Sequence, residues 1–106
     1  MGPLKLGSIQ VTTFIDGPTY ATCNAESFRL ATTGEKRSVM PYENRMSGYK
    51  RCTFTTVFTS LSQRSHRIER VVRVGDKDYA VDCKDVNVTA GKMPTAEIRY
   101  NWGCPQ

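Results

Sequence analysis

One histidine, His66, and one tryptophan, Trp102, occur in 106 residues. With a single imidazole and no activating context around any thiol, nucleophilic hydrolysis has no evident base. A Gly-rich phosphate loop and an HExxH string are both missing. No apolar run approaches the roughly eighteen residues that a membrane helix needs. No two cysteines stand at the two-to-four-residue spacing of zinc ribbons and fingers, which argues against a metal site. Internal repeats, low-complexity tracts and linker-like breaks are absent as well. The chain therefore reads as one small domain, too rich in hydrophobic residues (39%) to be disordered.

What is present begins at residue 9. Residues 1–8, Met-Gly-Pro-Leu-Lys-Leu-Gly-Ser, read as an expression and cloning remnant, and Ile9 to Gln106 as the domain. An even count of cysteines in so small a domain reads as two disulfides and a secretory history. Of the three pairings open to Cys23, Cys52, Cys83 and Cys104, the nested one is expected: Cys23 with Cys104, tying the chain ends, and Cys52 with Cys83, joining two strands. Asn87-Val88-Thr89 adds an acceptor sequence for N-glycosylation.

Alternation dominates the apolar pattern, so the chain is mainly sheet. Ile9, Val11 and Thr13 open a strand that ends at Asp16-Gly17-Pro18. Cys52, Phe54, Thr56 and Phe58 share one face of a second. Ile68, Val72 and Val74 mark a third, and Gly75 to Asp78 turns it into a hairpin with Tyr79 to Cys83. Val86 and Val88 suggest another short strand, and Glu97 to Trp102 the last. One helix is expected over Ala25 to Ala31, with Asn24 as its cap and Glu26 in its first turn. Residues 41–51 read as a long loop, the kind of segment that carries binding.

The net charge of +5 is unevenly spread. Residues 44–73 hold Arg45, Lys50, Arg51, Arg64, Arg67, Arg70 and Arg73 against Glu69 alone, so that segment carries 7 − 1 = +6 and the rest of the chain −1. Together with Tyr49, these seven cations form the candidate phosphate-binding set. Arginine forks beside aromatic rings suit RNA or another polyanion. The competing reading is a solvated sheet face, because strand alternation sends some of these arginines to opposite sides.

The order of elements supports a resemblance. Tyr20-Ala-Thr-Cys23, a helix after it, a Thr- and Phe-rich strand, Glu69-Arg70-Val71-Val72 followed by Tyr79-Ala80, and a Cys near the end together resemble the small guanyl-specific fungal ribonucleases. The chain is also similar to the ribonuclease-like secreted effectors of powdery mildew fungi. The resemblance implies an α+β fold, with one short helix packed on a twisted antiparallel sheet. It further implies action in host plant cells and recognition by plant immune receptors.

Cleavage of RNA needs a base, an acid and a cation at the phosphate. Of the groups that the enzymes use, only Arg70 has a counterpart. Cys52-Thr53-Phe54-Thr55 supplies no carboxylate, and no His follows Tyr79. The expected function is thus that of a secreted, monomeric, non-catalytic effector, which reaches the host cytoplasm and binds host RNA, a host protein or immune receptor, or both. No cofactor or metal is implied. Two alternatives stand beside it: an active ribonuclease using Glu43, His66 and Arg70, and a cysteine-stapled toxin or inhibitor with a basic face.

Overall fold

A computed structural model describes residues 5–105 of the chain. Met1 to Leu4, half of the expected remnant, lie outside the described residues. Among the described residues eight strands form: β1 (Gly7–Gly17), β2 (Glu26–Leu30), β3 (Lys36–Val39), β4 (Tyr42–Arg45), β5 (Lys50–Leu61), β6 (Ser65–Val74), β7 (Lys77–Asn87) and β8 (Thr95–Glu97). They make two four-stranded sheets, ordered β4-β5-β1-β8 and β3-β2-β6-β7. All neighbours are antiparallel except β1 and β8. The chain changes sheet after β1, β3, β5 and β7, so both sheets draw on its whole length.

No helix occurs among the described residues, which corrects the expected α+β fold of a helix on a sheet. The expected helix is β2. Phe28 and Leu30 are buried at 1% and 0% exposure, while Ser27 and Arg29 between them stay partly exposed. Two residues apart on a helix, Phe28 and Leu30 would point about 200° away from each other, whereas a strand sends both to one side. β2 also has a ladder on each edge, to β3 and to β6. Glu26, expected beside a helix terminus, instead faces Arg70. Likewise, the expected loop 41–51 is the β4–β5 hairpin, turned over Ser47 and Gly48.

The core lies between the sheets. Ile9, Val11, Phe54 and Phe58 come from the first, Phe28, Leu30 and Ile68 from the second, and Phe28 meets Phe54 at 6.5 Å. Ile9 pairs with Phe58 and Thr13 with Phe54, so the inward face expected for β5 is the one that packs. Thr13 is fully buried and its hydroxyl donates to the Ile98 carbonyl. Between Arg70 and Val71 the ladder meets a bulge in β7, where Val81 is the extra residue, and the alternation of burial along β6 breaks there. Val71 is therefore buried in place of Val72, and Val74 is 64% exposed. The β6–β7 hairpin forms as expected, around a two-residue turn whose first position, Gly75, has φ +66°, the conformation a type II′ turn requires.

Gly7 and Ser8 extend β1, and a Cβ on Gly7 would lie 2.5 Å from the Thr89 carbonyl oxygen and from Val88. The disulfides are Cys23–Cys52 and Cys83–Cys104, not the nested Cys23–Cys104 and Cys52–Cys83. Cys52 lies in the first sheet and Cys83 in the second, where its neighbour is Glu69 across the ladder. Each bridge instead fastens an irregular segment to a strand: residues 18–25 to β5, and the C-terminal tail to β7. Among the described residues no helix is long and apolar enough to cross a membrane.

Candidate nucleic-acid interface

The basic segment folds into cross-strand ion pairs. The ladder sets Arg67 opposite Asp85, Arg70 opposite Asp82 and Arg73 opposite Asp78, with N–O distances of 2.9, 2.8 and 3.3 Å. Arg51 lies opposite Asp16 and donates to both of its oxygens, at 2.8 and 3.0 Å. Its guanidinium also stacks on Phe14 at 4.1 Å, with Tyr49 at 5.9 Å. Lys50 donates to the Ala21 carbonyl and stands 4.0 Å from Glu43. Of the seven cations of the segment, only Arg45, on the edge strand β4, and Arg64, in the β5–β6 connection, are exposed without an ion pair among the described residues. The eight expected residues do not converge: Arg45, Lys50 and Arg51 belong to the first sheet, with Tyr49 in its β4–β5 turn, Arg67, Arg70 and Arg73 belong to the second, and Arg64 lies in the connection between the two. A charge of +6 along the chain is thus largely neutralised by carboxylates from neighbouring strands.

Arg70, the residue that best carried the ribonuclease resemblance, is 3% exposed. It donates to Asp82 at 2.8 Å and to Glu26 at 3.3 Å, and Tyr100 covers it at 4.1 Å. Asp82, wholly buried, also accepts the N–H groups of Gly103 and Asn101 at 2.7 and 3.1 Å. Burial alone pushes the Asp82 carboxyl up, but the bonds from Gly103, Arg70 and Asn101 outweigh it and hold the group below the ordinary carboxylate range. This cluster anchors the tail to β7 and leaves no side of Arg70 open to a phosphate.

His66 is 2% exposed, not the exposed polar residue that its neighbourhood in sequence suggests. Its Nε2–H donates to the Ser62 carbonyl at 2.8 Å, and in the neutral ring Nδ1 accepts from the Thr32 hydroxyl at 2.8 Å. Both nitrogens are occupied by structural partners, while Glu43 lies on the edge of the other sheet. Glu43, His66 and Arg70 are therefore not brought together. Nor do three His, Cys, Asp or Glu side chains gather as a metal site among the described residues.

The tail holds what the sequence reading missed. β8 ends at Glu97, one residue before the buried Ile98, and the chain then curls, with Asn101 at φ +66° and Gly103 at +85°. Tyr100 and Trp102, expected in a final strand, are 41% and 58% exposed. Lys84 Nζ lies 5.8 Å from the Trp102 ring and the Arg99 guanidinium 5.4 Å. Neither cation forms an ion pair among the described residues. A groove of about 550 Å³ runs here, with Lys84 and Asp85 of β7 on one wall and Trp102, Gly103 and Pro105 on the other, joined by the Cys83–Cys104 bridge. Asp85 is held ionised by Arg67, whose hydrogen bond lowers its carboxyl. A second groove of about 450 Å³ touches Arg99 and Tyr100, but it also carries Glu97, which has no ion pair among the described residues and disfavours an anion.

Lys84 escaped notice because Asp82 and Asp85 flank it in sequence and cancel its charge in any segment count. Both acids are taken by β6 arginines, which leaves Lys84 uncompensated. The arrangement is an exposed indole with two cations over its ring, a combination of aromatic surface and positive charge suited to a planar base with its phosphate. No protein-family model, curated protein or solved structure matches the chain.

Proposed function

We propose that this chain is a secreted, non-catalytic binding module whose ligand is single-stranded RNA, with a base stacked on Trp102 and its phosphate between Lys84 and Arg99. The observation that carries the reading is an exposed tryptophan with two uncompensated cations within 6 Å of its ring. A rigid scaffold supports it. The tail bearing Trp102 is tied to β7 by the Cys83–Cys104 bridge and by the bonds that Asn101 and Gly103 donate to Asp82. Two disulfides and no free cysteine support secretion. The commitment of His66 and Arg70 to internal partners supports binding without cleavage. Action as a virulence effector in host plant cells belongs to this proposal too. Its support is the small disulfide-stapled secretory character and the motif resemblance, and the ribonuclease-like fold no longer contributes.

Salt dependence tests the site. Each phosphate contact to a single strand adds about 0.7 to the slope of log affinity against log salt. Lys84→Ala with Arg99→Ala, which removes the contact to that one phosphate, is therefore expected to lower the slope by about 0.7 in fluorescence-anisotropy titrations of a labelled oligonucleotide. Arg73→Ala, whose partner Asp78 does not line the groove, is expected to leave it unchanged. An unaltered slope in the Lys84 and Arg99 double variant would remove the phosphate from the Trp102 site.

A further inference from the structure

The strand β4 forms an outer edge of the first sheet, and all four of its residues are exposed. Its hairpin with β5 fixes which backbone groups remain unused. Met46 N–H donates to the Tyr49 carbonyl, and the register runs from Arg45↔Lys50 to Tyr42↔Thr53 without a shift. Hydrogen-bonded and non-hydrogen-bonded pairs alternate along an antiparallel ladder. Counted from Met46 and Tyr49, Asn44 and Tyr42 turn their N–H and C=O toward β5, while Glu43 and Arg45 turn theirs outward. Among the described residues no backbone group bonds to Glu43 or Arg45 from outside the hairpin.

We infer that β4 pairs with β4 of a second copy of this chain, antiparallel about a two-fold axis through Asn44. In that register Glu43 lies opposite the partner's Arg45, and Arg45 opposite the partner's Glu43. Both pairs are of the hydrogen-bonded kind, so the outward N–H and C=O groups of each find partners. The same alignment sets unlike charges side by side, twice by symmetry. Arg45 has no ion pair among the described residues, and Glu43 meets Lys50 only at 4.0 Å. Tyr42, 72% exposed, falls opposite the partner's Met46 on the other face, where sulfur and ring make contact.

Other registers fail. A slip by one residue sets Glu43 against Asn44, whose backbone groups are already used by β5. Symmetric pairing centred on Glu43 or on Arg45 opposes like charges. Pro41 lacks an N–H, which ends the ladder on that side. Pairing joins the two first sheets into one of eight strands. The strand is short, so the contact belongs with small, weak interfaces, and the chain is a monomer when dilute and a dimer when concentrated.

Sedimentation velocity from about 10 μM to about 1 mM tests the pairing over the range where so small an interface acts. The wild-type coefficient is expected to rise with concentration. Glu43→Arg and Arg45→Glu, each alone, are expected to weaken self-association about tenfold, since every cross-strand pair then has like charges. An equimolar mixture of the two variants is expected to associate again, because one strand then carries two cations and the other two carboxylates. Far-ultraviolet circular dichroism confirms that each exposed substitution leaves the fold in place. A wild type that stays monomeric throughout overturns the inference. So does a single variant that associates as the wild type does, or a mixture no better than its components.

Discussion

Replacing Asp82 by alanine is expected to lower folding stability by about 3–5 kcal/mol, read as a drop in the urea midpoint with an unchanged slope. The size follows from what is stranded. Arg70 stays buried with Glu26, 3.3 Å away, as its sole remaining carboxylate, and the Gly103 and Asn101 N–H groups lose their acceptor. Against a usual total of about 5–15 kcal/mol, that is a large share. Exposed pairs such as Arg67–Asp85 are worth about 0–1 kcal/mol each, so Asp85→Ala serves as the contrast. The pH dependence has a definite sign. Because folding lowers the Asp82 carboxyl, its contribution is fully present above the unfolded value of about 3.9 and is lost as pH falls through the lower folded one. Asp82→Asn is accordingly expected to be less stable at neutral pH and to show a shallower loss below about pH 4.

Trp102→Ala is expected to weaken binding of single-stranded RNA about 10- to 100-fold, corresponding to about 1–3 kcal/mol for one lost base–aromatic stack. Trp102 is 58% exposed and caps no buried charge, so the variant is expected to unfold at the wild-type midpoint. Tyr100→Ala separates the two roles of the tail. Tyr100 covers the buried Arg70, so its removal lowers stability while leaving the Trp102 surface and its two cations in place. The triple change Lys50→Ala, Arg51→Ala and Arg70→Ala, aimed at the basic segment, would act through folding, because each of those groups already has an internal partner.

Local periodicity was legible and long-range pairing was not. The period of two in Ile9-Val11-Thr13 and in Cys52-Phe54-Thr56-Phe58 identified inward faces that the ladder between β1 and β5 brings together. The Gly75-Asp76 turn carried enough chemistry to mark its hairpin. β2 was misread because Asn24 and Glu26 form a good helix start, while its two sheet neighbours come from residues 36–39 and 65–74, which no local rule weighs. The bulge at Val81 of β7, opposite Arg70 and Val71, moved burial from Val72 to Val71 with no signature in the residues themselves.

Charge failed for the same reason. Segment counting placed +6 in the middle of the chain, but the sheet sets a carboxylate from β7 opposite each arginine of β6. Lys84 and Arg99, which form no ion pair among the described residues, stand where the sequence is locally acidic or unremarkable, and only the curl after Glu97 carries Arg99 and Trp102 to Lys84.

Trp102 is the only tryptophan in the chain, so its emission reports on the proposed site without any label. The most direct measurement is a titration of the intact, oxidised protein with an unlabelled single-stranded RNA oligonucleotide, followed by tryptophan fluorescence at low salt. Base stacking on the indole predicts saturable quenching that diminishes as salt is raised. RNA binding detected by gel shift or anisotropy with no change in Trp102 emission, or no binding at all, would contradict the account.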